Sequence, residues 1–173
     1  TNSAVHYVYD PAGNMTNRLQ IGGGDSESDS DADGLADLME LRYFGHLGET
    51  GAGDPDTDGL SNSNELAFGS SPVLKNTDGD PMDDYAEWIA DTNPTNAASY
   101  FQLTSIVGTP PVRVYFQGSS NRVYTLQSST NVAPAGWANV PGQTRIIGSG
   151  TSGYLTDTNS ALQRFYRVRV ELP

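Results

Sequence analysis

Apolar and polar residues alternate in short runs at both ends of the chain, a pattern typical of β-strands. Near the N-terminus, Val5, Tyr7 and Tyr9 alternate with polar neighbours up to the stretch DPAGN, and apolar positions resume at Met15. Two alternating runs joined by turn-forming residues predict a β-hairpin. The stretch GGGDSES that follows predicts a flexible linker.

Residues 99–173 contain further alternating runs, separated by clusters of Gly, Pro, Ser and Asn. The runs are YFQLTSI, VRVYFQ, RVYTLQS, TRIIG and RFYRVRV. In the last run Tyr166, Val168 and Val170 fall on one face of the strand, because side chains alternate with a period of two. Several short strands at this spacing predict an antiparallel β-sandwich or barrel, and we expect the sandwich.

The middle of the chain has a different pattern, in which an acidic run is followed by a short helix-like stretch. The pattern occurs three times, as DSDADGLADLME from Asp29, DPDTDGLSNSNE from Asp54 and NTDGDPMDDYAE from Asn76. The chain therefore predicts a mainly β fold with short helices, in which loop-plus-helix repeats precede the β-sandwich. We expect three parts: a hairpin and linker (1–24), the repeats (25–98) and a β-sandwich domain (99–173).

Charge is distributed very unevenly along the chain. Its net charge is -12, yet residues 25–98 hold 18 acidic residues against Arg42 and Lys75, whereas residues 99–173 carry a small positive excess. A segment with this much negative charge repels nucleic acid and anionic membranes. Its expected partners are therefore cations.

Other features of the composition bear on compartment and anchoring. The absence of cysteine excludes disulfides and thiolate zinc sites, and no apolar run approaches the length of a membrane span. Because the chain starts at Thr1 without a signal peptide, we expect a processed product or a piece of a longer protein.

The spacing of the acids matches the needs of a hard divalent cation. Calcium takes six to eight oxygens, which a twelve-residue loop supplies from positions 1, 3, 5, 7, 9 and 12, with glycine at position 6 for a sharp turn. In the first repeat Gly34 occupies position 6. The predicted ligands are the side chains of Asp29, Asp31, Asp33, Asp37 and Glu40 and the carbonyl of Leu35.

The second and third repeats offer comparable sets of predicted ligands. The second supplies Asp54, Asp56, Asp58, the Leu60 carbonyl, Asn62 and Glu65, with Gly59 at position 6. The third supplies Asn76, Asp78, Asp80, the Met82 carbonyl, Asp84 and Glu87. It departs from the pattern at Asn76 and at Pro81, since proline at position 6 cannot take a left-handed turn. Its site is therefore weaker, distorted or supported by Gly79 and Asp83.

We expect these loops to bind two or three calcium ions. The alternative is a solvated acidic linker, or acids favoured in the first turn of a helix. The repetition of a complete pattern favours metal binding. Magnesium is a poorer fit because it prefers six-coordinate geometry and keeps its waters. Carboxylates about 4 Å apart repel by roughly 4 kcal/mol at an effective dielectric of 20, so clustering them without a cation is costly.

The pattern DxDxDGLxDxxE, ending in a polar turn with proline, resembles the bacterial thrombospondin type 3 repeats over residues 25–98. That resemblance implies calcium-dependent, often extracellular spacer or adhesion modules without catalysis. Tyr7, Tyr9, Asp10, Gly13 and Asn14 resemble the YD repeat of Rhs-type proteins. The stretches RVYTLQSST and RFYRVRV resemble small C-terminal β-domains of secreted bacterial proteins. The resemblances imply an extracellular or cell-surface location.

Residues with other chemistry are few. His6 and His46 have no serine or cysteine motif around them, and the spacing of the acids assigns them to metal, so we expect no enzyme. Trp88, Trp137, Tyr115 and Tyr124 would suit either core packing or a platform on which sugars stack. The expected function is a calcium-stiffened spacer that presents a β-domain to another surface protein, in adhesion or surface attachment. The alternative is a carbohydrate-binding module whose partner is a polysaccharide.

Overall fold

The structure is a computed structural model, and contacts between residues divide it into two compact units. It describes the strands at 4–9 and 15–21 and the ranges 28–108, 110–133, 136–159 and 164–173. The units are Thr1–Thr77 and Asp78–Pro173, so the boundary falls within the third acidic repeat. The three-part division expected from the sequence stays a prediction.

The first unit begins with the expected hairpin. Strand β1 (Ala4–Tyr9) pairs antiparallel with β2 (Met15–Ile21), and Ala4 lies opposite Ile21. The pairing confirms the prediction from the alternating pattern. The turn at 10–14 and the glycine linker at 22–27 lie outside the described residues.

Two short helices follow the first two acidic loops, as predicted. Helix α1 spans Asp37–Tyr43 and α2 spans Asn62–Phe68. Helix α2 ends at Gly69 in a left-handed conformation, which glycine adopts at little cost. Helices of seven residues are not stable alone in water. Their stability must therefore come from the loops that precede them.

The first two loops pack closely together around Gly51. Its N–H donates to the Asp33 carbonyl at 3.3 Å, and its own carbonyl accepts from the Ser63 N–H at 3.0 Å. A Cβ atom at Gly51 would clash with Ser63 Oγ and would lie 3.0 Å from the Gly34 carbonyl oxygen. Glycine is therefore needed for this close approach between the loops.

The second unit contains one helix and two antiparallel sheets. Its elements are α3 (Asp84–Ala90), β3 (Leu103–Val107), β4 (Val112–Gln117), β5 (Val123–Ser129), β6 (Ala138–Asn139), β7 (Ile146–Ile147), β8 (Ser152–Asp157) and β9 (Phe165–Glu171). One sheet has the order β3-β4-β8. In the other, β9 pairs with all seven residues of β5, so the short β6 and β7 pair with its opposite edge.

The hydrophobic core lies between these two sheets. Val114, Phe116 and Leu155 enter it from the first sheet, and Tyr124 and Leu126 enter it from the second. Tyr166, Val168 and Val170 pack against this cluster from β9. The shared face that alternation predicted for these three residues is confirmed. The sandwich is thus held together by ordinary apolar burial.

The mainly β fold with three short helices and two antiparallel sheets agrees with the sequence prediction. Strand β8 is the principal element that the pattern missed. Its sequence SGYLTD lies among Gly, Ser, Thr and Asn residues and has few apolar positions, so the turn signals outweighed it. Within the described residues, no helix has the length and apolar character needed to cross a membrane.

Helix α3 is fastened to the sandwich by Arg122, which lies just before β5. Its Nε donates to the Ile89 carbonyl at 2.6 Å and its Nη2 to the Trp88 carbonyl at 2.7 Å. The guanidinium also pairs with Asp91 at 3.5 Å, and the side chain is only 12% exposed. A cation at the C-terminal end of a helix interacts favourably with the last carbonyls and with the helix dipole.

Replacement of this arginine tests the attachment. We expect Arg122→Ala to destabilise the second unit by about 1–3 kcal/mol, because the partly buried carbonyls of Trp88 and Ile89 lose their hydrogen bonds. Hydrogen exchange at residues 87–91 should accelerate more than exchange in β4. Arg169→Ala is the matched control, since Arg169 is 61% exposed and its bridge to Glu171 lies at the surface. Equal effects of the two variants would contradict the proposed attachment.

Candidate metal centres

The three acidic loops share one unusual backbone feature at their fourth position. Ala32, Thr57 and Gly79 all have positive φ angles, of 59°, 62° and 79°. Residues with side chains seldom adopt this region. Its recurrence at one position shows that the loops follow similar paths, including the third loop, which departs most from the sequence pattern.

Glycine at position 6 also behaves as the sequence predicted in the first two loops. Gly34 and Gly59 have φ angles of 94° and 108°. The Gly34 N–H donates to Asp29 Oδ2 at 3.0 Å, and the Gly59 N–H donates to Asp54 Oδ2 at 3.2 Å. Pro81 has neither a positive φ nor an N–H to donate. The third loop must therefore orient its first residue differently.

Position 5 closes each loop in the same way. The N–H of position 7 donates to the Oδ1 of the aspartate at position 5 in all three loops. The pairs are Leu35 with Asp33 at 2.9 Å, Leu60 with Asp58 at 2.7 Å and Met82 with Asp80 at 2.6 Å. Each bond uses one carboxylate oxygen and fixes the direction of the other.

Within each loop the structure brings acidic ligand atoms together within 4.8 Å of one another. The groups are Asp29, Asp31 and Asp33 in the first loop, Asp54, Asp56 and Asp58 in the second, and Asp78, Asp80 and Glu87 in the third. Positions 1, 3 and 5 thus converge in the first two loops, and positions 3, 5 and 12 converge in the third. The six predicted ligands of a loop are not all in one such group.

The glutamates at position 12 are buried completely. Glu40, Glu65 and Glu87 all have 0% exposure. Glu40 Oε1 accepts from the Glu49 N–H at 3.1 Å, and Glu87 Oε1 accepts from Thr92 Oγ1 at 3.0 Å. The Oε2 atoms of Glu40 and Glu87 have no hydrogen-bond partner in the described part of the chain. A buried carboxylate oxygen without a partner is costly unless a cation binds it.

Other ligand positions carry buried oxygens of the same kind. Among the described residues, no hydrogen bond reaches Asp54 Oδ1, Asp56 Oδ2, Asn62 Oδ1 or Asp78 Oδ2. The Asn62 amide nitrogen donates to the Thr50 carbonyl at 2.8 Å, which leaves its oxygen available as a ligand. Four residues from positions 1, 3 and 9 therefore present oxygen atoms suited to a cation.

Burial and mutual repulsion raise the pKa values of several of these carboxyls. Burial raises the pKa of Glu87 to about 7, and the charges of Asp80 and Asp78 add to the effect. Burial also raises the pKa of Glu40, with a contribution from Asp33. These two glutamates therefore resist ionisation when no cation is present.

The aspartates at position 3 of the first two loops show the same tendency. Burial, followed by the charge of Asp33, raises the pKa of Asp31. Burial raises the pKa of Asp56, and the charges of Asp58 and Asp54 contribute. Repulsion within each loop therefore adds to the effect of burial.

Asp37, the predicted position 9 ligand of the first loop, has a different set of contacts. It accepts hydrogen bonds from the Ser30 N–H at 2.8 Å, from Ser30 Oγ at 2.6 Å and from Ser28 Oγ at 3.3 Å. Burial alone would raise its pKa, but the bonds from Ser30 and Ser28 lower it. In this arrangement Asp37 holds the start of the loop to the start of α1. Sequence spacing did not reveal the role of the serines.

The remaining predicted ligands differ in their surroundings. The side chains of Leu35 and Leu60 are buried, and Asp84 is fully buried at position 9 of the third loop. Met82 Sδ accepts from the Phe101 N–H at 3.2 Å. Asn76 lies on the other side of the division between the units. The carbonyl ligands stay predictions.

Most of the aromatic residues considered for sugar stacking already pack against other side chains of the protein. Tyr124 is 1% exposed and belongs to the core. The Arg167 guanidinium lies over the Trp137 ring at 4.6 Å. Tyr115 contacts Tyr154 with ring centroids 5.3 Å apart.

Of the other residues considered, Trp88 contacts Tyr85 at 6.1 Å. His46 is exposed, and the side chain of His6 lies outside the described residues. Neither histidine is linked by these observations to a chemical role.

The chemistry of the loops is that of oxygen ligands for a hard cation. The converging atoms are carboxylate oxygens, which suit calcium, magnesium or manganese. No family model matches the chain, and searches of the curated proteins and of the solved structures gave no significant match. The resemblances to thrombospondin type 3 and YD repeats therefore stay predictions, and the case for metal binding depends on the geometry.

The raised pKa of Glu87 leads to a test with opposite outcomes in chelator and in calcium. Between its ordinary pKa and about 7, the folded protein binds a proton that the unfolded chain releases, so this group lowers stability as pH rises. In chelator at pH 8, Glu87→Gln should therefore raise the melting temperature. The gain should vanish near pH 5. In calcium the same variant should melt lower than the wild type.

A surface carboxylate provides the control for this test. Glu171→Gln removes a carboxylate of the same unit that pairs with Arg145 and Arg169 at the surface. We expect no change of sign between chelator and calcium for this variant. If Glu87→Gln lowered the melting temperature equally in both conditions at pH 8, its carboxylate would not be a metal ligand.

Proposed function

We propose that this protein is a non-catalytic calcium-binding structural module of an extracellular or cell-surface protein. Its acidic loops bind two or three calcium ions, and these ions stiffen a spacer that presents the β-sandwich. Sequence resemblance to thrombospondin type 3 repeats supports the location and the spacer role. The partner of the presented domain would be another surface protein, in keeping with an adhesion role.

The observation that carries this proposal is the burial of the position 12 glutamates beside the aspartate groups. Glu87 is 0% exposed, and its ligand atom lies within 4.8 Å of those of Asp78 and Asp80. Its Oε2 has no hydrogen-bond partner among the described residues. An acidic linker exposed to water would not bury this carboxylate. A cation between the three carboxylates would offset both the burial and the repulsion.

The polar interior of the first unit also supports metal binding by the loops. Within residues 28–77 the buried aliphatic side chains are Leu35 and Leu60, together with Pro72. Their apolar burial provides only a few kcal/mol at about 1.5–3 kcal/mol per side chain. Small domains with so little core generally need disulfides, metals or association. The chain has no cysteine, which leaves metal binding or association, and the grouped carboxylates favour metal binding.

Calcium fits these loops better than magnesium. Each loop offers several carboxylates together with neutral oxygens, which suits a cation that takes six to eight ligands in flexible geometry. Magnesium would need fewer ligands in a stricter octahedron. The third loop keeps the backbone path of the others despite Pro81, which supports a third ion. At free calcium 100-fold above the dissociation constant, each independent site adds about 2.7 kcal/mol.

The assignment of the acidic residues to metal also supports a non-catalytic role. The carboxyls whose pKa is raised are Asp31, Glu40, Asp56 and Glu87, and all four are ligand positions of the loops. Shifted pKa values mark functional sites, whether catalytic or metal-binding. Here the twelve-residue spacing favours metal binding. Activity screening is not the informative experiment for such a site.

Calorimetric titration of the metal-depleted full chain with calcium tests the proposal. We expect two or three ions per chain, with weaker heats in magnesium. Glu40→Gln, Glu65→Gln and Glu87→Gln should each remove or weaken one site, while Glu171→Gln should leave the stoichiometry unchanged. Binding of no ion, or loss of no site in any of the three variants, would refute calcium binding by these loops.

Chelation of the wild-type chain tests the structural consequence of binding. We expect chelator to reduce the far-UV circular dichroism signal of the short helices and to lower the melting temperature. The physical reason is that helices of seven residues depend on the loops before them. An unchanged spectrum and melting temperature would show that calcium does not stabilise the fold, even if the titration detected it.

A further inference from the structure

The second unit contains a cleft that the calcium loops do not use. Its volume is about 660 Å³, within the range of roughly 300–1,000 Å³ typical of ligand pockets. One side is formed by the end of α3 and the segment after it, including Thr92 and Tyr100. The other is formed by the ends of β3 and β4 and the turn before β8, including Gln102, Gln117 and Thr151.

The lining of this cleft is polar and nearly neutral. Gln102 and Gln117 contribute amides and are exposed, while Ser119 and Thr151 contribute hydroxyls. The described lining residues include no lysine or arginine, so the cleft does not suit phosphate or another anion. Its one carboxylate, Asp91, already pairs with Arg122 at 3.5 Å. An apolar ligand would bind poorly here, because it would bury these polar groups without forming hydrogen bonds to them.

The walls of the cleft are held in place by hydrogen bonds within the second unit. The Gly118 N–H donates to the Thr151 carbonyl at 3.3 Å, and Ser119 Oγ donates to Asp91 Oδ2 in a short contact. Thr92 Oγ1 donates to Glu87 Oε1 at 3.0 Å. Groups fixed in this way lose little freedom when a ligand binds, which favours affinity.

We propose that this cleft binds a short neutral saccharide. Amide and hydroxyl side chains can both donate and accept, which matches the hydroxyl groups of a sugar. Tyr100, half-buried in the wall, supplies an aromatic ring against which the apolar face of a sugar ring can pack. The proposal goes beyond the structural role of calcium, because the side chains that would contact the sugar are not among the predicted metal ligands.

Two other surfaces of the β-domain are less suited to a sugar. The Trp137 ring has Arg167 over it at 4.6 Å. Tyr154 is 51% exposed, but Arg113 lies over its ring at 5.2 Å and Tyr115 contacts it. Both surfaces therefore have ring faces already covered by a cation. The cleft combines open polar groups with concave shape.

The experiment uses the full chain in calcium on an array of neutral and acidic oligosaccharides, followed by calorimetry with the best neutral oligosaccharide. The double variant Gln102→Ala, Gln117→Ala should bind that sugar about tenfold more weakly or worse, because two hydrogen bonds are lost. Tyr154→Ala and Trp137→Ala should bind it within about twofold of wild type, and circular dichroism should show all three variants folded.

Each other outcome would overturn the cleft as a saccharide site. Absence of binding to every neutral oligosaccharide would do so, as would preference for acidic sugars alone. Loss of binding in Tyr154→Ala or Trp137→Ala, with retention in the double variant, would place the site on another surface. The calcium titration is a separate measurement, so failure of the saccharide proposal leaves the calcium proposal standing, and the reverse is also true.

Discussion

Repulsion among buried carboxylates is the constraint on which the acidic part of this protein depends. Glu40, Glu65 and Glu87 are removed from water at the end of each loop, and each interacts with aspartates of the same charge. In a hydrophobic core such groups would be protonated or excluded. Here the backbone brings them together, and a bound cation would offset the repulsion and the loss of water under the proposed function.

The two units of the chain differ in the kind of side chain that they bury. In the sandwich, residues such as Phe116, Tyr124 and Leu126 are buried between two sheets, and apolar area provides the driving force. In residues 28–77 the interior is mainly polar, with Leu35 and Leu60 as small apolar contacts beneath the loops. Under the proposed function, metal binding would supply in residues 28–77 the stability that hydrophobic burial supplies in the sandwich.

Local spacing was sufficient to predict which aspartates the first two loops bring together, because these groups are built from consecutive residues. It located the aspartates at positions 1, 3 and 5 and the turns at Gly34 and Gly59. It did not predict that Ser30 holds Asp37, nor that Arg122 fastens α3, because these contacts depend on tertiary packing. It also missed β8, where alternation is short and the neighbours favour turns.

The position of Arg122 also determines how the second unit would carry mechanical tension between residues 78 and 173. Arg122 grips the end of α3, and the next residue, Val123, pairs with Glu171 near the end of β9. Tension would therefore enter and leave at the same end of the β5–β9 ladder. Because antiparallel strands loaded at one end separate pair by pair, β9 would separate from β5 in the direction from Glu171 towards Phe165.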